Sequence, residues 1–183
     1  MSKTSTYVSI IKAAENVIKE KGLAKLTLQL VAETAGISKG GLLYHFPSKN
    51  ALIEGMLEYS LTTFEKFIEQ YTKDDIEPGS WARGFILGTF SASGSLTEEV
   101  TSAAALVASS GLNPSLMKPY IEMQKKWLPA LLLDGLDKQT ALIIRMGVDG
   151  LWLNEALGVQ ALGKEERQSY IDYLITLTRV SQP

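Results

Sequence analysis

The sequence predicts an all-α protein, and three observations point to this class. Apolar residues recur every three or four positions along most of the 183-residue chain, as they do on one face of a helix. No segment shows the strict alternation of apolar and polar residues that is typical of strands. Capping residues, glycines and prolines divide the apolar pattern into successive helices, and a hydrophobic content of 45% suffices for a core.

The composition excludes several classes of function. The chain has no cysteine and a single histidine, which rules out a disulfide scaffold, thiolate chemistry and the usual zinc sites. The N-terminus has no apolar run behind Lys3, and Arg145, Asp149 and Glu155 interrupt residues 141–158, so neither a signal peptide nor a membrane span is expected. We therefore expect a cytoplasmic, non-enzymatic protein without metal, cofactor or membrane partner.

The net charge of −2 conceals an asymmetry along the chain. Residues 1–50 contain seven lysines and three glutamates, a net charge of +4. The remainder carries 11 basic and 17 acidic side chains, a net charge of −6. A basic segment on an acidic body suggests a site for a polyanion, although an excess of this size also arises by chance.

The first fifty residues contain the pattern of a helix-turn-helix. A helix over residues 7–18 ends at Gly22, which suits a left-handed cap. Thr27 and Ser38 then cap two short helices, which Gly36 joins through a tight turn. Apolar residues flank both caps as hydrophobic staples, namely Leu26 with Val31 and Ile37 with Leu42. In a helix-turn-helix the second helix lies in the DNA major groove.

The remaining residues predict a helical body behind this head, and we divide the chain into domains 1–50 and 51–183. Ser48 caps a long helix whose apolar face runs from Leu52 to Tyr71. It ends at a polar loop over residues 74–79, whose carboxylates we expect to be solvated. Later helices are expected over 81–90, from Thr97, from Asn113-Pro114 with a kink or break at Pro119 and Pro129, from Asp137 to about Gly158, and from Gly163.

Residues 27–52 resemble the DNA-binding signature of the tetracycline-repressor (TetR) family. The matching features are Thr27 as a cap, Val31-Ala32, the Ala35-Gly36-Ile37-Ser38 turn, Lys39-Gly40, and the run from Tyr44 to Lys49 followed by Ala51-Leu52. Each feature alone is weak, but the ordered set is specific. The resemblance implies a homodimeric regulator whose head binds operator DNA. It also implies that the C-terminal domain dimerises and holds a small-molecule effector that releases the DNA.

The expected DNA contacts lie on the two short helices and directly after them. They are Thr27, Ser38, Lys39, Gly40, Gly41, Leu43, Tyr44, His45 and Lys49. Lys39 is the long polar side chain nearest the start of the second helix, and the glycines behind it let the backbone approach the groove. Many family members have a phosphate-contacting tyrosine where this chain has Leu43, so Leu43 either touches a thymine methyl or packs. His45 matches a phosphate-contact position, although a lone histidine beside Phe46 also packs within its own fold.

The large apolar residues of the C-terminal half suggest an effector pocket for a hydrophobic or amphipathic molecule. The candidates are Trp81, Phe85, Phe90, Met117, Met123, Trp127, Met146, Asp149 and Trp152. Such residues line adaptable pockets, but each is also an ordinary core residue. Asp149 lies on an otherwise apolar helix face, so its carboxylate is paired in the core, placed at a dimer seam, or anchors a ligand.

Glycines in the helix that begins at Asp137 suggest close packing against another helix, because glycine lowers helix stability. The resemblance implies dimerisation through the last two helices. The expected contacts are Gly147, Gly150, Leu151, Leu157, Tyr170, Tyr173, Leu174 and Leu177.

Three functions remain open from the sequence. A ligand-responsive repressor would bind a palindrome whose half-sites are about one helical turn, or a small multiple of it, apart. A regulator without an effector would have a filled body. A helical binding protein or enzyme that no longer binds DNA is favoured only by the scarcity of polar side chains over residues 39–43.

Overall fold

The computed structural model describes residues 3–90 and 114–179, and the prediction of an all-α fold is confirmed. The α-helices in these ranges are α1 (Lys3–Lys21), α2 (Leu28–Thr34), α3 (Lys39–His45), α4 (Lys49–Asp74), α5 (Ser80–Thr89), α6 (Lys118–Leu132), α7 (Lys138–Ala156) and α8 (Lys164–Leu177). Short 3-10 turns span Leu23–Lys25 and Pro114–Met117. Within the described ranges, no helix is long and apolar enough to cross a membrane.

The head consists of α1, α2 and α3, and its predicted caps are confirmed. The Thr27 hydroxyl accepts a hydrogen bond from the Leu30 amide at 3.2 Å, and the Ser38 hydroxyl accepts one from the Gly41 amide at 3.0 Å. Gly36 joins the two helices with a φ of +66°, a conformation that glycine adopts without strain. The two helices therefore form the predicted helix-turn-helix, and α1 packs against α2.

Helix α4 connects the head to the body without interruption. The Ser48 hydroxyl caps it by accepting from the Ala51 amide at 3.1 Å, and its 26 residues extend for about 39 Å. The head contacts it closely at Gly55, where an added Cβ would lie 2.6 Å from the Phe46 ring. The Tyr7 hydroxyl also donates to the Gly55 carbonyl at 3.4 Å. The predicted domain boundary at residue 50 thus falls inside a continuous helix.

The body consists of the rest of α4 with α5, α6, α7 and α8, and buried Arg83 holds one end of it together. Its guanidinium donates to both carboxylate oxygens of Asp75, at 2.6 and 2.8 Å. It also donates to the carbonyl oxygens of Pro78 and Thr178, each at 3.0 Å. The expectation that the carboxylates of residues 74–79 are solvated is therefore wrong for Asp75, because a guanidinium eight residues away reaches it.

Several helix boundaries differ from the predicted pattern. Helix α6 is continuous, since Pro119 lies in its first turn, where an amide proton is not needed, and Pro129 does not end it. Residues 114–117 form a 3-10 turn instead of the start of an α-helix. The Asp137 cap is confirmed by hydrogen bonds from the amides of residues 139 and 140, each 3.0 Å long. The predicted caps Thr97 and Asn113 lie outside the described residues.

Candidate functional site

The outer face of α3 presents the residues that sequence reasoning selected for DNA contact. Leu42 is buried, whereas Lys39, Leu43 and Tyr44 are exposed, the last with 72% of its surface. An added Cβ at Gly41 would meet nothing closer than the Ser38 hydroxyl at 3.3 Å. A side chain at this position would therefore press only on the Ser38 cap, and no other described residue covers the backbone of α3 there.

His45 and Lys49 lie at the junction of the head and α4, where both contact the fold. The His45 ring is half-buried, with its centroid 5.3 Å from that of Tyr44 and 6.4 Å from that of Tyr7. The Lys49 ammonium donates to the Leu23 carbonyl at 3.4 Å. An ammonium has three N–H groups, so this bond leaves Lys49 able to bind a phosphate as well. Thr27 and Ser38 are exposed, and their hydroxyls serve as caps.

A second candidate site is a cavity of about 40 Å³ between α4, α5, α6 and α7. The described residues that line it are Ser60, Leu61, Phe64, Phe85, Thr89, Tyr120, Trp127, Val148, Asp149 and Trp152. The volume holds little more than a water molecule or two, and it is far below the roughly 300 Å³ of a pocket for a drug-sized ligand. A larger molecule enters only if these helices move apart.

The cavity wall is mainly aromatic. The Phe64 and Trp127 ring centroids are 5.2 Å apart, and Phe85 lies 5.9 Å from each of them. A second aromatic pair in the lining is Tyr120 and Trp152, which stack with their planes 14° apart and their centroids separated by 6.0 Å. These faces suit a flat, apolar molecule.

Of the predicted pocket residues, Phe85, Trp127, Asp149 and Trp152 line the cavity. Trp81 stacks on Phe85 from behind, and Phe90 is buried beside Arg167. The three methionines lie elsewhere. Met123 faces a groove between α4 and α6, Met146 is 61% exposed, and Met117 is half-buried outside the lining. Sequence reasoning missed the lining residues Ser60, Leu61, Phe64, Thr89, Tyr120 and Val148, whose only signal was an apolar helix face.

Asp149 forms an ion pair behind the cavity wall with Arg145, which is buried. The Arg145 Nε donates to Asp149 at 2.7 Å, and its Nη2 donates to the side chain of Gln124. The guanidinium carbon lies 4.8 Å from the centre of the Phe85 ring. Burial raises the pKa of Asp149 above its usual value, although the charge and hydrogen bond of Arg145 oppose this effect. Burial also raises the pKa of Tyr120, with a contribution from the Asp149 charge.

Three buried polar atoms at this site have no hydrogen-bond partner within the described part of the chain. They are Ser60 Oγ, Trp127 Nε1 and Arg145 Nη1. Ser60 and Trp127 line the cavity, and Arg145 contacts Asp149 and Phe85 in its wall. Unsatisfied buried polar atoms are rare in folded proteins, so three in and beside one cavity distinguish this part of the body from the rest of the described chain.

The predicted dimer contacts divide into buried and exposed residues. Leu151 and Leu174 are buried within the chain, and Gly147 lies against the Tyr170 hydroxyl. These three residues therefore pack against other parts of their own chain. Leu177 is half-buried against the core. Leu157 and Tyr173 are exposed, and an added Cβ at Gly150 would meet no described atom within 4 Å. Exposed residues spaced three and four positions apart form an apolar stripe along one face of α7 and its C-cap. They are Ile143, Met146, Gly150, Leu153 and Leu157.

No group of three or more potential ligands among the described residues is placed to hold a metal ion.

The capped helix-turn-helix, the continuous α4 and the helical body define a DNA-binding protein with a separate C-terminal helical domain. A family profile described as bacterial regulatory proteins, tetR family, matches residues 10–56. A second, described as tetracyclin repressor-like, C-terminal domain, matches residues 79–179. The chain belongs to the TetR family of bacterial transcriptional regulators.

Individual relatives agree with this assignment. HTH-type transcriptional regulator BetI of Proteus mirabilis is 27% identical over 187 residues, which cover 94% of this chain and 93% of that protein. HTH-type transcriptional regulator TtgR of Pseudomonas putida is 30% identical over 86 residues, which cover 46% of this chain and only 41% of TtgR. The crystal structure of the multidrug binding protein EbrR complexed with imidazole has the same fold, with a TM-score of 0.66, 24% identity and 96% coverage of both chains.

Proposed function

We propose that this protein is a dimeric transcriptional repressor that leaves a palindromic operator when a small, largely apolar effector enters the cavity between α4, α5, α6 and α7. One observation carries the proposal. Helix α4 supplies Ser60, Leu61 and Phe64 to the cavity wall, and the same helix begins at Lys49, directly after the helix-turn-helix. The distance along α4 from Lys49 to Ser60 is about 17 Å.

The cavity size supports a mechanical link between effector and DNA. A cavity of about 40 Å³ does not hold a drug-sized molecule, so the effector binds only a form in which the surrounding helices have separated. An effector shifts an equilibrium in proportion to its preference for one state. Because Phe46 of the head packs tightly on Gly55 of α4, a displacement of α4 carries the head with it.

The apolar stripe on α7 supports a homodimer. Five positions at intervals of three and four residues present Ile143, Met146, Gly150, Leu153 and Leu157 to solvent, and Gly150 at the centre permits close approach of another helix. Tyr173 of α8 is exposed as well. A second copy of the same stripe makes a two-fold interface, which positions two heads on the two half-sites of a palindrome.

Binding to the DNA that flanks the protein's own gene tests the DNA-binding part. We expect a complex whose affinity falls steeply with salt, because lysines release counterions from phosphates. Lys39→Ala should weaken it roughly tenfold or more and reduce the salt slope by about one if the Lys39 ammonium binds one phosphate. Lys138→Ala removes the same charge from the exposed start of α7 and should have no effect. A complex that is insensitive to salt and unchanged by Lys39→Ala would contradict the proposal.

The small cavity also favours a second candidate, a regulator of the same DNA that responds to no small molecule. DNA release by a stabilising compound distinguishes the two candidates. A repressor with an effector dissociates from DNA in the presence of a compound that raises its melting temperature. A regulator without an effector stays bound under every compound that stabilises it.

A further inference from the structure

We propose that the cavity selects uncharged aromatic molecules that carry a hydrogen-bond acceptor, such as an aryl ketone, and discriminates against aromatic cations. The assignment of this ligand as the effector rests on the proposed function, but the binding preference itself does not. Three features of the site lead to this class of ligand: the aromatic wall, the unpaired donors, and the internal neutralisation of the one carboxylate.

The wall specifies a flat apolar body. Phe64, Phe85 and Trp127 are mutually in contact, and Tyr120 and Trp152 form a second, stacked pair. All five side chains line the cavity. Aromatic molecules gain most from such surroundings because they bury a large rigid area at a small cost in conformational entropy.

The unpaired polar atoms specify an acceptor on that body. Trp127 is 6% exposed, and its Nε1 only donates hydrogen bonds. Arg145 is 2% exposed, and its Nη1 also only donates. Neither atom has a partner among the described residues, and Ser60 Oγ, which both donates and accepts, is the third such atom. Ser60 and Trp127 line the cavity, so a carbonyl oxygen placed there can accept from their donors, whereas a ligand that only donates leaves the Trp127 N–H unpaired.

The carboxylate of Asp149 lines the cavity and at first suggests a cation as ligand. Arg145 already neutralises it at 2.7 Å, and Gln124 holds Arg145 in place from α6. A cationic ligand would lie beside the Arg145 guanidinium and the Trp127 N–H, both of which carry positive charge at the protons they present. The net charge of the pair is zero, so the described lining residues offer a cation no uncompensated partner.

Three probes with one ring system test this preference on the full chain by calorimetry near pH 7. They are 2-acetylnaphthalene, which has a neutral acceptor, 2-naphthylmethylamine, which is an ammonium ion, and unsubstituted naphthalene. We expect the ketone to bind at least roughly tenfold more tightly than the ammonium ion, because a site with unpaired buried polar groups rejects ligands that leave them unpaired. Equal or tighter binding of the ammonium ion, or no binding of the ketone, would overturn the inference.

A pair of matched variants separates the hydrogen bond from the packing. Trp127→Phe removes the N–H and retains an aromatic ring, and Trp81→Phe makes the same change outside the cavity lining. Trp127→Phe should weaken the ketone roughly tenfold, and naphthalene by less than about threefold, because only the ketone loses a hydrogen bond. Trp81→Phe should change the ketone and naphthalene affinities by the same factor, because Trp81 contacts the wall residue Phe85 only by stacking. Equal losses for the ketone and naphthalene in Trp127→Phe would show that Trp127 acts through packing alone and would contradict the proposal.

Ser60→Ala repeats the test at a lining residue of another helix, with a variant that removes a single oxygen and perturbs packing little. It should weaken the ketone and leave naphthalene unchanged, and a ketone affinity equal in wild type, Ser60→Ala and Trp127→Phe would count against the inference. The ketone is also added to the protein–DNA complex. If it binds with the expected preference but does not release the DNA, the ligand class stands and the effector mechanism fails.

Discussion

Arg83 and Arg145 are both almost completely buried, yet the two regions around them differ in how well polar groups are satisfied. All three nitrogens of the Arg83 guanidinium donate hydrogen bonds, to Asp75, to the Pro78 carbonyl just before α5 and to the Thr178 carbonyl at the end of α8. At Arg145 the Nη1 has no partner within the described residues, and an aromatic cavity adjoins it. The Arg83 region is a closed network, whereas the Arg145 region is incomplete.

The difference indicates separate tasks for the two ends of the body. A fully satisfied buried network fixes one arrangement of the elements that it joins. Here it joins the C-terminal end of α4 to α5 and α8. An incomplete network beside a cavity is the part of a fold that a ligand can complete. The end of α4 at Asp74 is therefore anchored, and we propose that the stretch around Ser60, between this anchor and the head, is the part that moves when a ligand binds.

Replacing each arginine is expected to give the largest difference in stability between the two regions. Arg83→Met should lower the free energy of unfolding by about 3–5 kcal/mol, because it leaves the Asp75 carboxylate without its cation and three carbonyls without their donor. Arg145→Met should cost less, about 1–3 kcal/mol. It leaves Asp149 and Gln124 without their donor, but methionine packs between Phe85 and Trp127 and the substitution also removes an unsatisfied donor. Urea denaturation of both variants measures the difference. Equal losses would mean that the two regions do not differ as their hydrogen bonds indicate.

Two glycines on α5 give an intermediate test, since one lies near each region. An alanine Cβ at Gly88 would lie 2.7 Å from the Phe64 ring of the cavity wall, whereas one at Gly84 meets Ile68 and Tyr71 at 3.3 Å. Gly88→Ala should cost about 1–3 kcal/mol and alter ketone binding, because Phe64 must shift. Gly84→Ala should stay within about 1 kcal/mol of wild type, helped by the higher helix propensity of alanine. Thermal melts and calorimetry decide, and a larger loss for Gly84→Ala would reverse the assignment.

The smallest expected difference between the two regions is in how their carboxylates change the stability of the fold in acid. The hydrogen bond from Arg83 holds the pKa of Asp75 at about 2, so ionised Asp75 stabilises the fold above about pH 4 and loses this effect as the pH falls through about 2. Burial raises the pKa of Asp149, so its ionised form costs stability above that raised pKa, and the cost disappears in acid. The two carboxylates therefore contribute to the pH dependence with opposite sign.

Denaturation of wild type, Asp75→Asn and Asp149→Asn near pH 6 and near pH 2.5 checks this sign. The stability deficit of Asp75→Asn relative to wild type should narrow in acid. The stability of Asp149→Asn relative to wild type should fall over the same range, because only the wild type gains from protonation. Parallel pH profiles for the two variants would contradict the distinction between the regions.

The sequence predicts the head far better than the body, for a physical reason. Helix caps and tight turns depend on residues within four positions of one another, so Thr27, Ser38, Ser48 and Asp137 could each be identified locally, and all four are confirmed as caps. The same local signals, together with the resemblance over residues 27–52, identified the helix-turn-helix.

The cavity depends on how four helices cross, which local patterns do not encode. Ser60 and Tyr120 belong to different helices, and neither differs in sequence context from an ordinary surface or core residue. The methionines were selected for their adaptability, but Met146 occupies the exposed stripe of α7. The Arg83–Asp75 pair crosses the loop between α4 and α5, so its existence depended on the loop geometry.

The position of Trp127 has a spectroscopic consequence. Its indole is buried among Phe64, Phe85 and the Arg145 guanidinium, with an N–H that no described residue accepts. Indole emission shifts to longer wavelength when its surroundings become more polar or when the N–H gains an acceptor. The protein therefore carries an intrinsic optical reporter at the wall of its cavity, and occupancy can be followed by light without attaching a dye.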